Sequence, residues 1–229
     1  MTMERLDHIP LTLDLQEILT KLGMKRDEEK DQVQRLMDVA QPLLSARAVY
    51  KVCYIDERLD EGVVVCGTLF RSKVLRKHLD RVERVFPYVV TIGGRLEQRA
   101  STWDDFLERY ILDVIGNTAV SKARTHLKKH LKKTYGLDGI STMSPGQITD
   151  WPIEAQRPLF ELLGDTESSI GVRLESSLYM TPPKSLSGLY FPTEIPFFAC
   201  QLCPRERCPS RRSPYDENLK GEYGIEDEK

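Results

Sequence analysis

Three cysteines near the end of the chain, Cys200-x2-Cys203-x4-Cys208, place three soft ligands within nine residues and are followed by Pro209. Thiolates at this spacing can wrap one metal ion or one edge of a cluster, whereas exposed thiols without a ligand are prone to oxidation. A proline after the last cysteine is also found in iron–sulfur sequences, and zinc is equally permitted by ligand type. Cys200, Cys203 and Cys208 are therefore expected to bind an iron–sulfur cluster or zinc. A fourth ligand would come from Cys53, Cys66, a histidine, a carboxylate or an exogenous group. An odd total of five cysteines, three of them clustered, fits metal binding in a reducing compartment better than a disulfide framework.

Two further stretches are rich in residues that impose a backbone shape. Ser144-Pro145-Gly146-Gln147 opens the run Ser-Pro-Gly-Gln-Ile-Thr-Asp-Trp-Pro, and Ser185-x-Ser187-Gly188 leads into Tyr190. Alone, Pro-Gly is a common turn pair and glycine in a strand permits close packing. Together they suit a surface that holds a flat ligand or a partner against the backbone. Other chemistry is not indicated. There is no Ser–His–Asp order, no carboxylate pair at informative spacing and no Walker-type loop. His78, His126 and His130 lack a partner motif, although His126 and His130 share a helix face. Cys53 and Cys66 fall on strand-like runs and read as small buried hydrophobes.

These residues must be positioned by a chain of 229 residues, enough for one large domain or two small ones. A net charge of −2 gives no general attraction to nucleic acid, and no apolar run is long enough for a membrane helix. Acidic residues in Met1–Asp7 do not resemble a secretory leader, so a cytoplasmic location is expected. Periodicity predicts helices over Leu13–Leu22, Glu28–Leu44, Ser72–Asp80, Thr102–Tyr135 (capped by Thr102 or Ser101 and closed by Gly136) and Pro152–Leu163. Alternation predicts strands over Ala48–Ile55, Val63–Phe70, Arg84–Ile92, Arg173–Met180 and Leu186–Phe191, the first two forming a hairpin across Asp56–Gly62. The run Lys122–Lys133, with six basic residues and no acid, reads as the solvated end of the long helix. Helices and strands mix without a βαβ rhythm, which favours α+β.

Several segments, in order, resemble the activation domain of vitamin B12-dependent methionine synthase in its short stand-alone form. They are Thr91-Ile92-Gly93, Tyr110-Ile111-Leu112-Asp113 with Gly116 and Ala119, Ser144-Pro145-Gly146, Ile170-Gly171-Val172-Arg173-Leu174, and Ser185 to Phe191. The resemblance implies a C-shaped α+β unit with a central antiparallel or mixed sheet over residues 1–199, followed by a Cys-rich segment and charged tail over 200–229. It implies a domain that binds S-adenosylmethionine, covers the corrin face of a cobalamin-binding partner and supports reductive rescue of cob(II)alamin. Thr142, Ser144, Pro145, Gly146, Gln147, Ser185, Ser187, Gly188 and Tyr190 become the candidate cofactor-facing residues. The family's central loop, Arg-x-x-Pro-Gly-Tyr, has Thr142 and Gln147 at its Arg and Tyr positions. A helix Glu aligns with Ser121, and Thr-Glu-Ser is Glu175-Ser176-Ser177 here. Thr142 cannot supply the charge-assisted hydrogen bond of an arginine, which counts against S-adenosylmethionine as a ligand, although backbone groups at Pro145–Gln147 could still contact one. Electron transfer to a corrinoid ranks an iron–sulfur cluster above zinc.

The expectation is an accessory to a cobalamin-dependent methyltransferase rather than a complete enzyme, the partner being a methionine synthase without this module. The alternatives are an S-adenosylmethionine-dependent methyl donor and a zinc-stabilised interaction module. Neither nucleic acid nor membrane is expected as a partner.

Overall fold

A computed structural model of the chain describes residues 2–208 and 211–223. Pro209, expected to follow the last metal ligand, lies outside the described residues. The strands are β1 (Glu4–Leu6), β2 (Arg47–Tyr50), β3 (Cys53–Leu59), β4 (Gly62–Val65), β5 (Thr68–Arg71), β6 (Arg84–Thr91), β7 (Ile140–Met143), β8 (Arg173–Leu174), β9 (Met180–Thr181) and β10 (Ser185–Pro192). The helices are α1 (Leu15–Leu22), α2 (Asp27–Ala40), α3 (Lys73–His78), α4 (Arg95–Ser101), α5 (Phe106–Tyr135), α6 (Gln156–Leu163), α7 (Thr166–Ile170) and α8 (Glu217–Tyr223).

Eight strands make one curled antiparallel sheet built around β6. One edge of β6 pairs with β10, which pairs in turn with β7. Its other edge pairs first with β2 and then with the start of β3. The registers Tyr50↔Tyr88 and Cys53↔Val85 belong to one alignment, so the strand predicted over Ala48–Ile55 runs on in register through a break at Lys51–Val52. Opposite the break stands Pro87. Lys51 donates its N–H to Pro87 O at 3.0 Å, and proline has no N–H to return. Past Ile55, whose N–H still donates to Glu83 O at 2.9 Å, β3 leaves β6 and pairs with β4, and β4 with β5. The hairpin is therefore present, but β3 extends through the polar stretch to Leu59, and the run predicted over Val63–Phe70 is divided by a turn at Cys66–Gly67.

Alternation along the strands assigns each sheet face its own core. Ala48, Tyr50, Tyr88, Val90 and Tyr190 pack with α1, α2 and α5. Val49, Val85, Val89, Leu189 and Phe191 pack with α3, α6 and α7, and Phe197, Ala199 and Leu202 complete this second cluster. The long helix is shorter than predicted. Asp105, not Thr102 or Ser101, caps α5 by accepting from Glu108 N, and Arg95–Ser101 forms the separate α4. Gly136 closes α5 as expected. The segment predicted as one strand over Arg173–Met180 is a small hairpin of β8 and β9, reversing at Glu175–Tyr179 with Leu178 at φ 69°.

Candidate functional site

The chain leaves β7 and reverses at once through Ser144–Gln147. Gln147 N–H donates to Ser144 O at 3.2 Å, and Ser144 N–H donates to the Gln147 side-chain oxygen at 3.1 Å. Gly146, at φ 81°, occupies the left-handed region, and a Cβ there would stand 2.9 Å from Ile153 Cδ1. Its N–H donates to Trp151 O at 2.8 Å. Three residues downstream of the turn, the Asp150 carboxylate accepts from Lys73 N at 3.1 Å, from Val74 N at 3.0 Å and from the Ser72 hydroxyl. Ser72 itself caps α3 by accepting from Leu75 N at 2.9 Å, and Asp150 ties the run after the turn to that cap.

The residues assigned to a cofactor surface do come together, because β7 and β10 pair with Tyr190 opposite Thr142. Gly188 is required by that approach: a Cβ would lie 2.4 Å from Met143 O and 2.7 Å from Ser144 Oγ. Most of the set is internal. The Thr142 hydroxyl sits 3.2 Å from Tyr88 OH, the Tyr88 ring stacks on Tyr190 at 4.5 Å, and Tyr190 OH donates to Arg124 O of α5 at 2.9 Å. Burial beside Tyr88 holds the Tyr190 phenol well above its ordinary pKa. Ser185 Oγ lies 2.9 Å from Thr91 Oγ1 and 2.7 Å from Pro182 O. Ser187 Oγ donates to the Gln156 side-chain oxygen at 3.3 Å, and Gln156 Nε2 donates to Leu178 O at 3.1 Å. In this conformation only Ser144, Gly146 and Gln147 of the nine residues reach solvent. Thr142, Pro145, Ser185, Ser187, Gly188 and Tyr190 are buried.

The sequence reading passed over Arg47, which opens β2 opposite Thr91. Thr91 faces Ser185 in turn, so the three side chains form one row on the α6–α7 face. The Arg47 Nε is buried and, among the described residues, has no hydrogen-bond partner. Its only sequence signal is a charge at the head of an apolar strand.

Cys200, Cys203 and Cys208 sit in a half-buried loop that begins with a short 3-10 turn, Ala199–Leu202. The centre of this loop is occupied by a guanidinium. Arg211 donates to Cys200 O at 3.1 Å, Cys203 O at 3.2 Å and Ser213 O at 3.3 Å, and also to Arg205 O. Arg211 N–H donates to Cys208 O at 3.1 Å, and Asp216 N–H to Gln201 O at 2.9 Å. Main-chain carbonyls rather than thiols gather here. Among the described residues no group of three or more His, Cys, Asp or Glu side chains is placed to hold one metal ion. The expected convergence of the three thiols is absent from this arrangement, which does not fit a metal centre as it stands.

A cleft of about 1150 Å3 opens at the end of the sheet where β6 begins and β10 ends. Tyr54, His78, Arg84, Leu137, Phe197 and Tyr223 are among its walls. His78 packs against Phe197 with ring centroids 4.0 Å apart, and Tyr223 OH lies 2.9 Å from its Nε2. Burial, with a smaller contribution from neighbouring Lys77, pushes the imidazole pKa down to about 4. No helix among the described residues is long and apolar enough to cross a membrane.

No family model and no curated protein matches the sequence. Among solved structures, the chain is similar to the reactivation domain of MetH, determined with AdoHcy bound. The two share 12% identity, the likeness covers 98% of this chain and 86% of the other, and the TM-score is 0.63. At that identity the likeness speaks to the fold, and the architecture expected from the sequence resemblance is the one found.

Proposed function

We propose that this chain is an accessory module that docks on a cobalamin-bearing methyltransferase, a methionine synthase lacking such a module, and supports its reductive reactivation. The observation that carries the reading is the reactivation-domain fold, matched over 98% of the chain. The curled sheet and the solvent-facing turn at Ser144, Gly146 and Gln147 supply a surface on which a flat macrocycle held by another protein would rest. The chemistry asked of the module is differential binding. A cap that fits the reactivation geometry of the corrinoid better than the resting one shifts the population toward it, and a shift from 1:99 to 99:1 needs a preference of about 10,000-fold. The rigidity of the turn, held by its own backbone and by Asp150, keeps such a preference from being spent on ordering a loop.

Anaerobic mixing with a cob(II)alamin-loaded methionine synthase tests the reading. Co-elution in gel filtration and faster return to the methylated cofactor, with reductant and methyl donor present, are expected. Failure to associate with any B12-loaded methyltransferase overturns it.

A second reading is favoured by the AdoHcy held by the MetH reactivation domain. S-Adenosylmethionine or its product would bind at the same turn through backbone groups of Pro145–Gln147, since Thr142 lies under Tyr88 and the Gln147 oxygen is engaged by Ser144. Calorimetry with either compound decides it. The cysteine loop enters both readings as the strap that holds α8. An iron–sulfur cluster or zinc at Cys200, Cys203 and Cys208 requires that loop to reorganise around its thiols, and metal analysis with an absorption spectrum of anaerobically purified protein tests for either.

A further inference from the structure

Cys53 and Cys66 lie far from the cysteine loop in sequence and fall on β3 and on the turn between β4 and β5. Neither is disulfide-bonded. Cys66 donates its backbone N–H to Tyr54 O at 3.1 Å, one residue from Cys53, and both side chains belong to the same apolar cluster. The Cys66 thiol is close enough to Cys53 to help burial raise the Cys53 pKa. The register that pairs Ile55 with Val65 sets Cys66 opposite Tyr54 and Cys53 on its diagonal. Strand spacings of about 4.8 Å across and about 3.4 Å along put such diagonal Cα atoms roughly 6 Å apart, within the roughly 4.4 to 6.8 Å that a disulfide spans.

The turn that presents Cys66 is unusual for its residue type. Val65 pairs with Thr68, leaving Cys66 and Gly67 as a two-residue hairpin turn at φ 47° and 77°. Asn-Gly or Asp-Gly is the common sequence for this geometry, because the first position must also enter the left-handed region. Asp56 steadies the turn by accepting from Gly67 N at 2.6 Å. A cysteine is thus held in a conformation that its side chain disfavours, against the other thiol of the hairpin. Strain of this kind points from an observed outlier toward a use for it.

We propose that Cys53 and Cys66 form a redox-active dithiol that closes to a disulfide on meeting a small-molecule disulfide of the glutathione class. Half-buried Cys66 makes the first contact, and Cys53, fully buried, resolves it. The Cys66 thiolate, its proton released to water, attacks one sulfur of the small disulfide. A protein–glutathione mixed disulfide forms and one glutathione thiolate leaves. Cys53 then gives up its proton and displaces the second glutathione thiolate, closing the Cys53–Cys66 bond. Two protein thiols are oxidised by two electrons, and one small disulfide is reduced to two thiols. Burial, with the neighbouring Cys66 thiol, pushes the Cys53 pKa up to about 12, which gives Cys53 the slower, resolving role. The closed form staples β3 to the β4–β5 turn beside Tyr54, a wall of the 1150 Å3 cleft. This inference is independent of the corrinoid reading.

The test is equilibration of the full chain in glutathione buffers of graded redox poise, followed by alkylation and peptide mapping. A linked peptide pair containing Cys53 and Cys66, lost on return to reducing buffer, is expected. Cys66→Asn, which installs a favoured turn residue, should abolish the link and preserve the circular dichroism spectrum. Cys53→Ser should leave glutathione on Cys66. Free alkylation of both thiols at every poise, or oxidation confined to Cys200, Cys203 and Cys208, overturns the proposal.

Discussion

The turn after β7 and the loop from Cys200 to Cys208 both reverse the chain beside the same apolar cluster, yet they are held by opposite means. The turn is fixed by many small constraints: its own backbone hydrogen bonds, the Gln147 side chain, Asp150 reaching α3, and two glycines with no room for a Cβ. The loop depends on one guanidinium that serves carbonyls of four residues. Distributed constraint yields little when one polar group is removed and much when an atom is added where none fits. Concentrated constraint yields at a single side chain.

The largest effect should come from adding that atom. Gly188→Ala forces a Cβ against Met143 O and should lower stability by about 3 kcal/mol or more in urea unfolding. A loss below about 1 kcal/mol would mean that β7 and the turn move freely, erasing the contrast.

Next is His78, on which α8 rests. Its folded pKa of about 4 lies below the ordinary 6.5, so the neutral ring favours the fold. That contribution is complete above pH 6.5 and falls away as the pH drops toward 4, by roughly 3 kcal/mol at most. His78→Phe should flatten the acid limb of the stability curve over this window relative to the parent chain. An unchanged limb would place the acid sensitivity elsewhere.

Arg211→Met should release the cysteine loop and α8 together. Amide exchange in α8 should rise by the equivalent of about 2 kcal/mol, and the Cys200 and Cys203 thiols should react faster with a thiol reagent, while the sheet keeps its protection. Equal loosening of the sheet would show that the strap is integral to the fold. The smallest effect is expected from Gln147→Ala, which removes one of several constraints on the turn and should cost about 1 kcal/mol or less.

How much of this was legible in the sequence varied by region. Helical periodicity located α1, α2, α3 and most of α5, because each buries apolar residues at helical spacing, and Asp14, Ser72 and Asp105 cap α1, α3 and α5. The α5 boundary was missed since Thr102 and Ser101 look like caps, whereas Asp105 accepts from Glu108 N and Trp103 Nε1 donates to the Glu108 carboxylate. β7 escaped because Ser141 and Thr142 are polar; their hydroxyls are satisfied internally, by Phe197 N–H and Tyr88 OH. The Ser144 and Ser187 segments meet because β10 pairs with β7. Their burial was not foreseen, because small and polar residues read as surface until Gln156, Tyr88 and Arg124 are seen to meet them. The cysteine spacing spoke of a metal, and only the folded chain revealed Arg211 at the loop's centre.

Pro87 has a reach beyond its own strand. With no hydrogen to offer, it leaves one bond unmade opposite Lys51 while pairing resumes at Cys53 and Tyr54, so β2 and β3 are one strand with a local gap and the β3–β5 ribbon departs only where β6 itself begins. Valine at this position would supply the missing donor and join the two stretches into one unbroken ladder.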